Sequence, residues 1–395
     1  MTIAKLDDYN FRNKRVLIRV DFNVPLDKEG NILDDWRLKE SVPTIQYLLD
    51  NGAQQIIMIA HLGRPKGEVV ENLKMDKVGE RFSEILGQDV AKVDDCVDID
   101  MPYGRIVLLE NLRFHKGEKS KNDWERQEFA KKLADYADYY VNDAFGTSHR
   151  KHASFYEITK YLPGCIGQLV EKEISTLGEA LSAPNRPFIA IMGGVKVSDK
   201  LGAIKNLLKK VDALLLGGAM VFTFYKAMGK EVGKSKVEDD MLELARELLE
   251  NSDNKIMLPV DVIAAVEPDA ESESDVYSID NIPKDLMGVD IGPETINIYK
   301  EIILKAQTVV WNGPMGIFEI ERFAVGTNEV ADAVGECPGI TIVGGGDSEE
   351  AIRNIGIADK ITHVSTGGGA ALEMFSGKKL IAIKALEQNY EKFKR

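Results

Sequence analysis

Ile340-Thr341-Ile342-Val343-Gly344-Gly345-Gly346-Asp347-Ser348 decides the fold: an apolar run breaks into a glycine turn and then into residues fit to open a helix. The arrangement returns as His363-Val364-Ser365-Thr366-Gly367-Gly368-Gly369, so both stretches read as strand, glycine turn, helix. Without a Cβ, the backbone N–H groups of such turns can approach a phosphate closely. Asp347 offers a carboxylate to Mg2+, a hard ion that prefers oxygen ligands. This half of the chain reads as a holder of a metal-chelated polyphosphate. Neither turn is a Walker A loop, because no Gly-Lys-Ser/Thr comes after the glycines.

Outward from these turns, short runs of Val, Ile and Leu alternate with helix-length amphipathic segments, the mark of parallel α/β sheets. Strands are predicted at Val16–Val20, Gln55–Ala60, Ile106–Leu109 and Tyr139–Val141 in the first half. In the second they are predicted at Phe188–Ile191, Ala213–Leu216, Lys255–Leu258, Thr308–Trp311, Ile340–Val343 and His363–Ser365. Such sheets bind ligands outside the carboxyl ends of their strands. The first-half strands lead into polar and cationic residues: Asp21-Phe22-Asn23, His61-Leu62-Gly63-Arg64, Glu110-Asn111-Leu112-Arg113 and Asn142-Asp143. The second-half strands lead into glycine: Gly193-Gly194, Gly217-Gly218, Asn312-Gly313-Pro314 and the two turns above. Two chemically different edges imply two different substrates. Between them Val170, Ile174, Leu177 and Leu181 fall at helical spacing, and Pro184 and Pro187 come next. The domain boundary is placed at this helix, Leu169–Leu181, and its proline-rich exit. Glu267–Asp275 reads as a solvated acidic loop.

At 395 residues the chain is too long for one core, and two domains of about 170–200 residues fit. A net charge of −14 argues against nucleic acid or an anionic membrane as partner. Cations for an anionic ligand must therefore be concentrated locally. No signal peptide or membrane span is legible, and Cys96, Cys165 and Cys337 show no metal-ligand spacing. A reduced cytoplasm is the expected location, and small molecules are the expected partners.

Of Arg37, His61, Arg64, Arg113, His149 and Arg150, five follow predicted strands closely enough to converge on one edge, and guanidinium forks suit phosphate and carboxylate oxygens. Lys196 and Lys200 stand at helical spacing just past Gly193-Gly194, a pairing of like charges that an intervening anion would reward. Glu319 reads as a helix cap or a ribose ligand.

Eight motifs in this order resemble the phosphoglycerate kinase family over essentially the whole chain. They are V-D-F-N-V-P (Val20–Pro25), H-L-G-R-P-K-G (His61–Gly67), E-N-L-R-F-H (Glu110–His115) and N-D-A-F-G-T-S-H-R (Asn142–Arg150). M-G-G-V-K-V-S-D-K (Met192–Lys200), V-W-N-G-P-M-G-I-F-E (Val310–Glu319), G-G-G-D-S and H-V-S-T-G-G-G-A complete the set. The resemblance implies an α/β chain of two Rossmann-like parallel-sheet domains joined by a hinge helix. Residues 1–170, with the tail 381–395 packed on them, would take 3-phosphoglycerate through Asp21, Asn23, Arg37, His61, Leu62, Gly63, Arg64, Arg113 and Arg150. Residues 171–380, with the linking helix, would take Mg-ADP or Mg-ATP. Its implied nucleotide contacts are Lys196, Lys200, Gly217, Gly218, Gly288, Asn312, Glu319, Gly345, Gly346, Asp347 and Ser348, with Asp347 toward Mg2+. Arg37, Lys196, Lys200, Gly367 and Gly368 would act on the moving phosphoryl group, in a protein expected to be a monomer. A non-catalytic nucleotide or anion binder on the same fold is the alternative. A dinucleotide oxidoreductase is disfavoured, since neither glycine turn gives G-x-G-x-x-G with an acidic residue suitably downstream.

Overall fold

Parallel pairing organises both halves of the chain. The structure, a computed structural model, describes residues 2–394; Met1 and Arg395, the outer bounds of the expected first domain and its tail, lie outside them. The chain divides into one unit running up to Ser175 together with the residues from Lys379 onward, and a second unit, Thr176–Lys378.

In the first unit β1 (Arg15–Val20), β2 (Gln55–Ile59), β3 (Ala91–Lys92), β4 (Ile106–Leu108), β5 (Tyr139–Asp143) and β6 (Gly164–Ile166) form one parallel sheet in the order β3-β4-β2-β1-β5-β6. On β1, Ile18 lies opposite Met58 on one side and Val141 on the other. Helices cover both faces of such a sheet, so its central strands are apolar runs rather than alternations. Residues Val16–Val20 are accordingly all buried, Arg19 included.

The second unit holds β7 (Phe188–Met192), β8 (Ala213–Leu216), β9 (Ile256–Met257), β10 (Asp261–Ala265), β11 (Ser274–Ser278), β12 (Met287–Ile291), β13 (Thr308–Asn312), β14 (Ile340–Val343) and β15 (His363–Val364). Six of them form a parallel sheet, β15-β14-β13-β7-β8-β9, while β11-β10-β12 form a separate antiparallel sheet. Among the described residues, no helix is long and apolar enough to cross a membrane.

All ten predicted strands are present, and β3, β6, β10, β11 and β12 are additional. β3 and β6 are too short to leave an apolar run. β11 is a half-exposed strand of Ser, Asp, Val and Tyr, so the segment expected to be an acidic loop ends inside it, at Ser274-Asp275.

The predicted linker helix is observed at Gln168–Ser182. Its first turn is tied to the first unit: Leu169 N–H donates to Asp143 Oδ1 of β5 at 3.0 Å, and Gln168 N–H donates to Thr44 Oγ1 of helix Trp36–Asp50 at 2.9 Å. Further along the chain, helix Ile381–Phe393 packs beside β6, where Gly164 N–H donates to Asn389 Oδ1 at 2.8 Å.

Asp143 is fully buried, and Oδ2 has no hydrogen-bond partner. Burial pushes its carboxyl up to about 8, against the hydrogen bonds from Thr44 and Leu169 that favour the anion. A carboxyl whose folded pKa lies above its unfolded value holds its proton more tightly when folded, so its contribution to stability falls as pH rises from about 4 to about 8. We therefore expect Asp143→Asn to be stabilised relative to wild type progressively between pH 5 and pH 8, by on the order of a few °C in Tm. Parallel Tm–pH curves for the two proteins would contradict this.

Candidate functional site

Two surfaces gather the residues marked by sequence, each at the carboxyl edge of a parallel sheet. In the first unit the edge is built around the ends of three neighbouring strands, β1, β2 and β4. Asp21, just past β1, accepts from Arg37 Nη1 at 2.9 Å, and Arg37 sits in the opening turn of helix Trp36–Asp50. Asn23 Oδ1 receives the N–H of Gly63 at 2.8 Å, and Arg113 Nη1 donates to the carbonyl of Gly63 at 2.7 Å. The His61–Arg64 turn is thus held from both sides. Leu62 is buried, its N–H and carbonyl both paired with the Asn111 side chain. Its side chain packs inside the turn.

Arg19 lies inside the apolar β1 run, where no sequence signal marks it. Its guanidinium is fully buried, stacks 4.6 Å from the Phe155 ring centroid, and reaches Ser154 Oγ at 3.2 Å and His61 Nδ1 at 2.7 Å. Ser154 in turn donates to buried Glu118 at 2.7 Å. A buried charge without a partner costs several kcal/mol, so Glu118 near Arg19 is the compensation. A guanidinium can only donate. His61 Nδ1 is therefore the acceptor, and the neutral ring carries its proton on Nε2.

Arg19, Arg113, His152 and Arg37 all act electrostatically on His61. Arg113, Arg64 and Arg150 act likewise on Lys119, another cation that no motif or spacing marks. The predicted cations therefore share one patch. Burial and these arginines hold His61 and His152 neutral, and His149, lowered to about 4, joins them through burial and Arg150. Both ring nitrogens of His149 are buried without a hydrogen-bond partner.

In the second unit the order of the sheet reverses between β7 and β13, the kind of switch point where α/β sheets take ligands. There Gly193 N–H donates to the Asn312 carbonyl at 3.0 Å. The Asn312 side chain is a hub: its Oδ1 accepts from Lys200 Nζ and its Nδ2 donates to the Gly344 carbonyl. Gly313 N–H donates to Ser348 Oγ at 2.6 Å, which locks the hub to the start of helix Gly346–Ile355. At Gly345 φ is +125°, and a Cβ would stand 2.7 Å from Asn312 Nδ2, so only glycine fits. Burial lowers the Lys200 ammonium, while nearby Asp347 supports its charge.

Beside this hub lies a cavity of about 320 Å³ lined by Gly194, Gly218, Phe222, Gly288, Glu319 and Asp347, among others. Gly218, at φ +70°, passes so close to Gly194 that a Cβ would meet its backbone at 2.5 Å. Gly217 stands behind the wall, its N–H on the Met192 carbonyl at 3.0 Å. Exposed Lys196 is not on a helix face with Lys200 as the spacing predicted: it is the extended residue before helix Val197–Leu207. Gly367 N–H is already bonded to Ser365 Oγ at 3.2 Å, so the amides that open helix Gly368–Phe375 begin with Gly368. The two glycine turns touch, since a Cβ on Gly368 would lie 2.9 Å from the Gly346 nitrogen.

Comparison with known proteins agrees throughout. A family model described as phosphoglycerate kinase matches residues 6–378. The chain is 51% identical over 399 residues to the phosphoglycerate kinase of Dictyoglomus turgidum, covering 98% of each sequence. It is 52% identical over 400 residues to that of Finegoldia magna, covering 98% of this chain and all of the relative. The solved phosphoglycerate kinase of Coxiella burnetii superposes with a TM-score of 0.85 at 39% identity, over 98% of this chain and 99% of that one. The structure from Pyrococcus horikoshii OT3 gives 0.87 at 36% identity, over 98% and 100%.

The Arg19–His61 contact carries an expectation of its own. Nitrogen-detected NMR of the histidine rings is expected to show His61 as the neutral Nε2–H tautomer throughout pH 5.5–8, since burial and Arg19 hold its pKa well below 6.5. A ring titrating near 6.5, or a proton on Nδ1, would contradict the assignment.

Proposed function

The chain belongs to the phosphoglycerate kinase family, and on that premise we propose how its two strand edges divide the work. The reaction is reversible transfer of a phosphoryl group between 1,3-bisphosphoglycerate and ADP, giving 3-phosphoglycerate and ATP. No finding favours the non-catalytic alternative. The observation that carries the assignment of edges is the Lys200–Asn312–Ser348 hub. It sets a half-buried ammonium between two glycine turns and beside a cavity fit for a nucleoside.

In the direction of ATP use, a carboxylate oxygen of 3-phosphoglycerate attacks the terminal phosphorus. The new O–P bond forms as the bond to the bridging oxygen breaks, and ADP leaves. A carboxylate with a pKa of about 4 is already ionised at neutral pH, so no general base is needed. Transfer needs alignment and neutralisation of charge on the moving group. The first edge supplies Arg37, Arg64, Arg113 and Arg150 for the acceptor's phosphate and carboxylate, with His61 Nε2–H, Asn23 and Asp21 orienting it. The second supplies Lys200 and Lys196 for the nucleotide phosphates and the Gly368 amide for the transferring group. Gly218, Gly288 and Glu319 receive the nucleoside, while Gly345 and Ser348 shape the turn. Asp347 suits Mg2+, because it is an exposed carboxylate at the cavity mouth within electrostatic reach of Lys200. One carboxylate beside phosphate oxygens is how Mg2+ is commonly held. When bound it would screen the phosphate charges.

Because the acceptor and donor edges belong to different units, transfer requires the two loaded edges to meet, and the helix Gln168–Ser182 is the connection about which they would close. The three cysteines are free, which is consistent with a reducing cytoplasm.

A coupled assay with 3-phosphoglycerate and Mg-ATP tests this reading. Lys200→Ala is expected to lower kcat by at least about 10², the scale of losing one charge stabiliser of a transition state. Near-full turnover would remove Lys200 from the mechanism. Arg64→Ala is expected to weaken 3-phosphoglycerate binding and leave nucleotide affinity nearly unchanged; equal losses by calorimetry would contradict the division of edges.

A further inference from the structure

The edge that carries Arg113 continues into a second cluster that neither substrate accounts for. Among the described residues, Asp95, Cys96 and His115 are a group whose metal-ligating atoms all lie within 4.8 Å of one another. We propose that these three side chains form a binding site for one Zn2+ ion. Asp95 and Cys96 sit in the loop after β3, and backbone bonds pin that loop to the strand beside it. Val93 N–H donates to the Leu108 carbonyl at 3.1 Å and Glu110 N–H to the Asp95 carbonyl at 3.4 Å. His115 comes directly after the short turn Leu112–Phe114. Its ring is stacked on Phe129, with centroids 5.4 Å apart and planes 30° apart, and Nε2 lies 2.6 Å from Asp95 Oδ1. The ligands are thus held in place by contacts that do not involve a metal.

The donor set selects the ion. One sulfur, one imidazole nitrogen and one carboxylate oxygen suit Zn2+, which accepts all three, and do not suit Mg2+ or Ca2+, which take oxygen. Three protein ligands leave a fourth position, and the partial exposure of Asp95 and His115 gives water access to it. The local field points the same way. Cys96 is fully buried, and after burial itself the carboxylates of Asp95, Glu118 and Glu110 oppose its ionisation. The same negative potential that resists a lone thiolate favours a divalent cation. On binding, the S–H bond breaks, the proton leaves to water and a Zn–S bond forms. In the empty site His115 Nε2–H donates to Asp95 Oδ1; on binding that N–H bond breaks, water carries the proton round to Nδ1, and the freed Nε2 lone pair takes the metal. The hydrated ion sheds its waters as the three ligands bind, and one water remains at the fourth position.

The test is a titration of the full-length reduced chain with ZnCl2 in competition with a chromophoric chelator. One zinc per chain with a micromolar or tighter Kd is expected, and Cys96→Ser and His115→Gln should each weaken binding at least about tenfold. Circular dichroism shows whether each variant is folded. The partly exposed positions, His115→Gln and Asp95→Asn, keep the test open should Cys96→Ser not fold. Co2+ in place of Zn2+ is expected to give a sulfur-to-metal charge-transfer band that Asp95→Asn and His115→Gln diminish. Less than one zinc bound at saturating metal, or binding unchanged in the folded variants, overturns the proposal.

Discussion

Parallel strands all end at the same edge of their sheet, and most of the ligand-facing groups here depend on that constraint. In a parallel sheet the chain must leave each strand at the carboxyl edge and return through a crossover, so residues remote in sequence are delivered side by side. Asp21, His61 and Arg113 come after β1, β2 and β4, which are adjacent in the sheet. Gly193, Asn312 and Gly344 lie at or just past the ends of β7, β13 and β14, which are adjacent in theirs. The architecture sets the positions, and the residue chosen at each strand end sets the chemistry.

The chemistry at the two edges differs because the electrostatic problem differs. A patch of arginines would repel itself, and the first unit relieves this by burying Glu118 near Arg19, pairing Asp21 with Arg37, and keeping His61, His149 and His152 neutral. Neutral His61 accepts a hydrogen bond from Arg19 without adding charge to the patch. The second unit uses few charges. It relies on glycine turns whose backbone comes within van der Waals distance of a neighbouring turn, and on one lysine whose position is fixed by Asn312. Main-chain amides and a single positioned ammonium suit a polyphosphate that arrives with its own cation.

Sequence made legible whatever repeats or contrasts along the chain. Apolar runs marked ten of the twelve parallel strands, and the residues just beyond them marked both edges. The other two carried no such signal: β3 has two residues and β6 three. The antiparallel β10–β12 sheet mixes Asp, Ser and Gly into short strands, and so resembled loop. Arg19 was hidden because it sits within the apolar run Val16–Val20, and only the fold shows that His61 lies beside it. Lys196 misled because the spacing rule assumes a helix that in fact starts one residue later, at Val197. The Asp95–Cys96–His115 cluster was illegible for the opposite reason: its members come from separate loops, and three-dimensional proximity is the whole signal.

The central claim is that the two substrates are held by different units, the acceptor by cations and the nucleotide by glycine turns. Amide chemical-shift mapping of isotopically labelled protein tests it most directly. The account expects 3-phosphoglycerate alone to move most strongly the amides of Asn23, Gly63, Arg37 and Arg150. Mg-ADP alone should move those of Gly194, Gly218, Gly288, Gly345 and Asp347. If each ligand alone shifted both sets to a similar extent, or if 3-phosphoglycerate acted chiefly on the glycine turns, the division of labour between the units would be wrong.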